Sequence, residues 1–239
     1  THPWRTMPSS PSECAYMPVG KAESASCSAW RRGRRLLLVP CSLHQEIRLG
    51  QAQALSGRHG GQFAVDPHLV GGYVRSDTFF RSIPQVLAAR PGVAFLCPAM
   101  SGVREAQRWI ERLGVGQSVH LLPQLSPADM AIAFRRSQVS VSVTEHDGTP
   151  NTLLEAMACG TYPIAGDLES LREWIEDGRT GSLIDPGDPA ALARAVIRAL
   201  EDEPLRAEAG RQNSRLIAER ADYAAGMARA EAVYHELLR

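Results

Sequence analysis

Val139-Ser140-Val141-Ser142-Val143-Thr144-Glu145-His146-Asp147-Gly148-Thr149-Pro150-Asn151-Thr152-Leu153-Leu154-Glu155-Ala156-Met157-Ala158-Cys159-Gly160 is the stretch that decides the fold. Val alternating with small Ser from Val139 to Val143 predicts a buried strand. Asp147-Gly148 predicts a turn. Thr149 is the expected N-cap of a short helix and Pro150 its first residue, because Pro loses no hydrogen bond there and Thr can accept an orphan amide proton. Gly160 stands where a left-handed residue would close that helix.

A helix that starts directly after a strand aims unpaired N–H groups and a partial positive charge into the crevice at the sheet's carboxyl end. That arrangement suits a phosphate. Two carboxylates flank it, Asp147 and Glu155, with seven residues between them. Helical side chains lean toward the N-terminus, so Glu155 reaches back over Asn151 and Thr152. Carboxylates repel phosphate, and hydroxyl groups are their fitting partners. A phosphate with diols on either side describes a nucleotide sugar. Taken singly, Asp-Gly is an ordinary turn and a helical Glu an ordinary surface residue. The pattern rests on the combination.

Asp147 to Gly160 closely resembles the donor-site motif of retaining glycosyltransferases of the GT-B fold, the large family 4 group (glycosyl transferases group 1). That motif is an acid, seven residues, a Glu, then Ala-Met-Ala-x-Gly. Here the first acid is Asp147, where many relatives carry Glu. Glu173-Trp174-Ile175-Glu176-Asp177-Gly178-Arg179-Thr180-Gly181 and the turn Asp185-Pro186-Gly187-Asp188 look like the family's next landmarks. The resemblance runs from about Gly72 to the C-terminus. It implies the C-terminal, donor-binding half of a two-domain enzyme, retention of anomeric configuration and no essential metal or cofactor. The donor would be a UDP- or GDP-sugar carrying a hexose-type group. The acceptor, whether saccharide, lipid or protein, would bind an N-terminal domain that this chain is expected to lack.

The rest of the chain fits an α/β class: a Rossmann-like, doubly wound parallel sheet with helices on both faces. With 239 residues, 44% hydrophobic and 22% charged, the composition is that of a soluble globular protein. Zero formal net charge argues against nucleic acid as a partner. No apolar run approaches a membrane span, and no signal peptide is legible. Five cysteines without close pairing fit reduced thiols and a cytoplasmic protein. Residues 1–61 show no lasting periodicity and are expected to be an irregular remnant, with one short strand at Leu36–Pro40. Residues 62–239 are expected to form the nucleotide-sugar domain. Its predicted elements begin with a strand at Gln62–Val65 and a helix over Asp77–Leu87 and continue as alternating strands and helices. The last two are helices at Leu205–Glu219 and Tyr223–Leu238.

Arg75 precedes the Asp77 helix and resembles the family's Lys or Arg against the donor pyrophosphate. A fixed fork of donors would neutralise charge on the departing diphosphate. Relatives carry a further Arg upstream. Here Asp66–Gly72 has none, and His68 is the nearest candidate. Relatives often have Gly-Gly where Glu169-Ser170 stand, which leaves less room for close backbone approach. The expected site is therefore Asp147 and Arg75 as catalytic groups. Gly148, Thr149, Pro150, Asn151, Thr152, Leu153 and Glu155 would bind the donor, and no residue would bind metal. One rival is a non-catalytic nucleotide-binding fragment. Another is a dinucleotide-dependent oxidoreductase, but Gly57–Gly61 does not supply its Gly-x-Gly-x-x-Gly. A helix at Tyr223–Leu238 with an uncovered apolar face would mark the contact with an absent domain.

Overall fold

The computed structural model describes residues 35–38 and 74–238. The expected strand at Gln62–Val65 and His68 lie outside them. Six strands form one sheet: β1 (Arg35–Leu38), β2 (Val93–Cys97), β3 (Val119–Leu121), β4 (Val139–Ser142), β5 (Tyr162–Gly166) and β6 (Ser182–Ile184). Every pairing is parallel, in the order β3-β2-β1-β4-β5-β6. The helices are α1 (Ser76–Ala89), α2 (Arg104–Leu113), α3 (Pro127–Arg136), α4 (Asn151–Ala158), α5 (Glu169–Arg172), α6 (Pro189–Glu201), α7 (Glu203–Arg220) and α8 (Tyr223–Leu237).

Alternation along the strands splits the core into two layers, as a sheet covered on both faces requires. Val93, Phe95 and Cys97 of β2 join Val139 and Val141 of β4 on one face. Phe79, Phe80 and Ile83 of α1 and Leu192, Val196 and Leu200 of α6 cover them. Ala94 and Leu96 face the other way, toward Phe134 of α3 and Ala156 of α4. The doubly wound architecture expected from the sequence is the one observed.

Arg35–Leu38, on the N-terminal side of the expected division at 61/62, pairs with both β2 and β4 at the centre of the sheet. The sheet is built from both sides of that division. The strand's own sequence is legible, but its neighbours in space are 55 or more residues away, so its central position is not.

The order places the reversal of winding between β1 and β4. In open α/β sheets ligands bind in the crevice at the strands' carboxyl ends at that point. The Glu145–Thr149 turn leaves β4 there. α8, in contrast, has no buried residue, and Tyr223, Met227, Tyr234 and Leu238 are exposed along one stripe of it. Among the described residues no helix is long and apolar enough to cross a membrane.

Candidate functional site

The helix after β4 begins one residue later than its sequence predicts. Pro150 is the N-cap and Asn151 the first helical residue, with no side-chain cap. Thr149 is therefore not the cap. Pro fixes φ near the helical value, and its φ is −66° here, but it brings no side-chain acceptor. The consequence is chemical. Leu153 and Leu154 donate their amides to the Pro150 carbonyl, at 3.0 and 3.3 Å. The amides of Asn151 and Thr152 have no acceptor among the described residues. A helix start without an internal cap holds its donors ready for an anion.

The far end of α4 is closed as expected. Gly160 has φ 77°, its amide bonds the Met157 carbonyl at 3.0 Å, and Thr161 bonds Ala156 at 3.0 Å. Those two bonds are the Schellman pattern. Gly210 of α7 lies directly against this end: a Cβ there would come within 2.6 Å of the Gly160 carbonyl oxygen. Ser214 of α7 also donates to the Ala158 carbonyl at 3.2 Å.

Glu155 sits in the second turn of α4, half-buried, and its carboxylate has no hydrogen bond or ion pair among the described residues. Burial alone pushes its carboxyl above the ordinary value. Asp147, in the turn, is also half-buried and also raised by burial. The neighbouring Gly148 amide and His146 partly oppose the rise. Two under-solvated acids without a full set of donors flank the open helix start. Each would gain from hydroxyl groups delivered by a ligand.

Arg75 reaches the same edge from the start of α1. Its amide bonds the Val143 carbonyl at 2.9 Å, and an isolated bridge joins Val74 to Thr144. Its guanidinium grips Asp77 with two bonds, 2.8 and 3.0 Å, and its remaining terminal nitrogen contacts Glu145. The Asp77 bonds, then the Glu145 contact, hold the guanidinium still more firmly protonated than usual. Glu145 is thus a site residue, two positions before Asp147. Sequence spacing misses it because its partner is 70 residues away. The Glu145 side chain is 53% exposed, so the pair contributes about 0–1 kcal/mol and can be exchanged for another anion at little cost.

Ser170, in α5, donates its hydroxyl to the Asp147 carbonyl oxygen at 2.8 Å. It too is invisible to spacing, 23 residues from its acceptor. Glu173 is the C-cap of α5, and its carbonyl accepts from Arg220 at 2.9 Å. His146 is exposed on the turn. Trp109 packs against the core, and Trp174 lies under the Arg220 guanidinium, so both serve packing. Among the described residues no group of three or more His, Cys, Asp or Glu could hold a metal ion.

The chain is similar to known proteins in sequence and in fold. Residues 99–215 match the family described as Glycosyl transferases group 1. A phosphatidyl-myo-inositol mannosyltransferase of Mycobacterium leprae is 33% identical over 135 residues, which cover 49% of this chain and 36% of that protein. The chain thus spans about a third of the length of that relative. Among solved structures, the C-terminal domain of a glycosyl transferase group 1 family protein from Francisella tularensis superposes with TM-score 0.60 at 13% identity. The superposition covers 82% of this chain and 92% of that domain. Anabaena HepE in complex with UDP-glucose superposes with TM-score 0.61 at 20% identity, covering 82% of this chain and 54% of that one. At such identities the superpositions establish the shared GT-B fold.

Proposed function

We propose that this chain, whose residues 99–215 match the family Glycosyl transferases group 1, is the donor-binding half of a retaining, metal-independent glycosyltransferase of family 4. Its substrate is a nucleoside diphosphate sugar, UDP- or GDP-linked, carrying a hexose-type group. The observation that carries the reading is the pair of free amides at Asn151 and Thr152, between two partly desolvated acids at the sheet's switch point.

The diphosphate sits at the mouth of α4. Gly148, Thr149 and Pro150 shape the approach, and Leu153 packs the helix into the core beneath. Arg75 exchanges its exposed contact with Glu145 for a phosphate oxygen, while its Asp77 bonds keep the fork aimed. Glu155 accepts from the ribose hydroxyls. Asp147 accepts from a sugar hydroxyl and supports positive charge on the ring as the bond to diphosphate breaks. Arg75 and the helix amides stabilise the departing oxyanion. The acceptor, a saccharide, lipid or protein, comes from across the cleft of a two-domain enzyme.

UDP-glucose, bound to one structural neighbour, and GDP-mannose, suited to a relative named a mannosyltransferase, are the first donors to try by titration calorimetry. Loss of a carboxylate–hydroxyl contact is worth about 1.5–3 kcal/mol, so Glu155→Ala weakens the preferred donor roughly 10- to 100-fold. Equal affinity in both proteins removes Glu155 from the site.

A further inference from the structure

We propose that Ser170 is a positioning residue for Asp147, and that it tunes the hold on the sugar while leaving the hold on the diphosphate alone. The inference rests on the donor reading above. Its physical basis is one peptide group. The carbonyl of Asp147 and the amide of Gly148 belong to the same rigid plane. Ser170 donates to the oxygen of that plane at 2.8 Å. Ser170 therefore fixes the peptide plane that has the Asp147 Cα at its corner, and so limits the direction in which the carboxylate leaves the backbone.

The surroundings make this tether matter. Gly148 is exposed, and a Cβ added to it would meet nothing within 4 Å, so local packing does not hold the turn at that point. The first residue of the turn is tied separately, through Glu145 to Arg75. The two ties come from different helices, α5 and the start of α1, and of the two the one from Ser170 ends on the peptide that carries Asp147.

The test compares UDP with UDP-glucose, and GDP with GDP-mannose, by calorimetry on the full chain. The variants are Ser170→Ala, Ser170→Thr, Asp147→Asn and the double variant Ser170→Ala/Asp147→Asn. One hydrogen bond removed at a distance predicts that Ser170→Ala weakens the preferred sugar nucleotide about fivefold. The matching free diphosphate stays within about twofold, and Ser170→Thr restores the affinity. In the Asp147→Asn background Ser170→Ala adds no further loss, because the two act through one contact. A purely structural role would lower thermal stability and affect both ligands alike, which overturns the inference. If Asp147→Asn selectively weakens the sugar nucleotide and Ser170→Ala does not, the donor reading stands and the role of Ser170 falls. If the wild-type chain binds none of the four ligands, both fall together.

Discussion

α4 and α6 start in the same way and finish the start differently. Each follows a turn at the carboxyl end of a strand, β4 and β6, and each has a proline at its threshold. At α6 Asp188 is the N-cap and Pro189 the first residue. One Asp188 oxygen accepts from the amides of Ala190 and Ala191, at 2.8 and 3.0 Å. The chain has neutralised that helix end with its own carboxylate. At α4 proline itself occupies the cap, no side chain closes it, and the first two amides stay unpartnered. Both helices are anchored through buried residues, five on α6 and three on α4. The contrast isolates one variable: a satisfied helix start serves stability, and an unsatisfied one at the switch point is available to a ligand.

The strongest way to break the contrast is to give α4 the cap that α6 has. Pro150→Asp supplies a side-chain acceptor and a negative charge where the diphosphate is proposed to sit. Loss of charged contacts worth about 2–3 kcal/mol predicts UDP or GDP binding weaker by roughly 30- to 100-fold. Thermal stability holds or rises. Undiminished affinity, measured by calorimetry, would dissociate the helix mouth from the ligand.

The converse change is smaller. Asp188→Ala opens the start of α6 and removes a cap worth about 1 kcal/mol, lowering Tm by roughly 2–4 °C. Nucleotide affinity should not move. Scanning calorimetry beside a UDP titration separates the two effects, and a selective loss of affinity would contradict the division of labour.

The smallest effect concerns the acid inside α4. Burial raises the Glu155 carboxyl above its ordinary value of 4.5, so the folded chain holds that proton to higher pH than the unfolded chain does. The associated stability is full below the ordinary value and declines as pH rises through the raised one. Glu155→Gln removes that decline. It should raise Tm by about 1–2 °C near pH 7, with the gain vanishing below about pH 4. A gain that persists in acid would locate its cause elsewhere.

Much of this was legible in the chain because it depends on local chemistry. Strand–helix alternation gave the sheet, and the caps at Ser126 and Asp188 use residue types that favour a helix start. Gly160 announced the left-handed close of α4. The start of α4 was misread by one position because Thr149 has the better intrinsic capping chemistry. The helix register, set by Leu153, Ala156 and Met157 in the core, puts Pro150 at the cap. Glu145 and Ser170 could not be found by spacing, since each acts through a partner brought near only by the sheet. The centrality of β1 was hidden for the same reason. The family resemblance supplied roles for Asp147, Glu155 and Arg75. The geometry adds what surrounds them.

The pressed contact between Gly210 and Gly160 carries a consequence for the opposite end of α4. Eight residues of helix form a rod about 12 Å long. Its heel is wedged under α7 by two glycines and braced by Ser214, while the amides at its toe carry no internal cap. A single methyl introduced at position 210 would press on the Gly160 carbonyl and load this rod from its far end, without touching anything that lines the crevice.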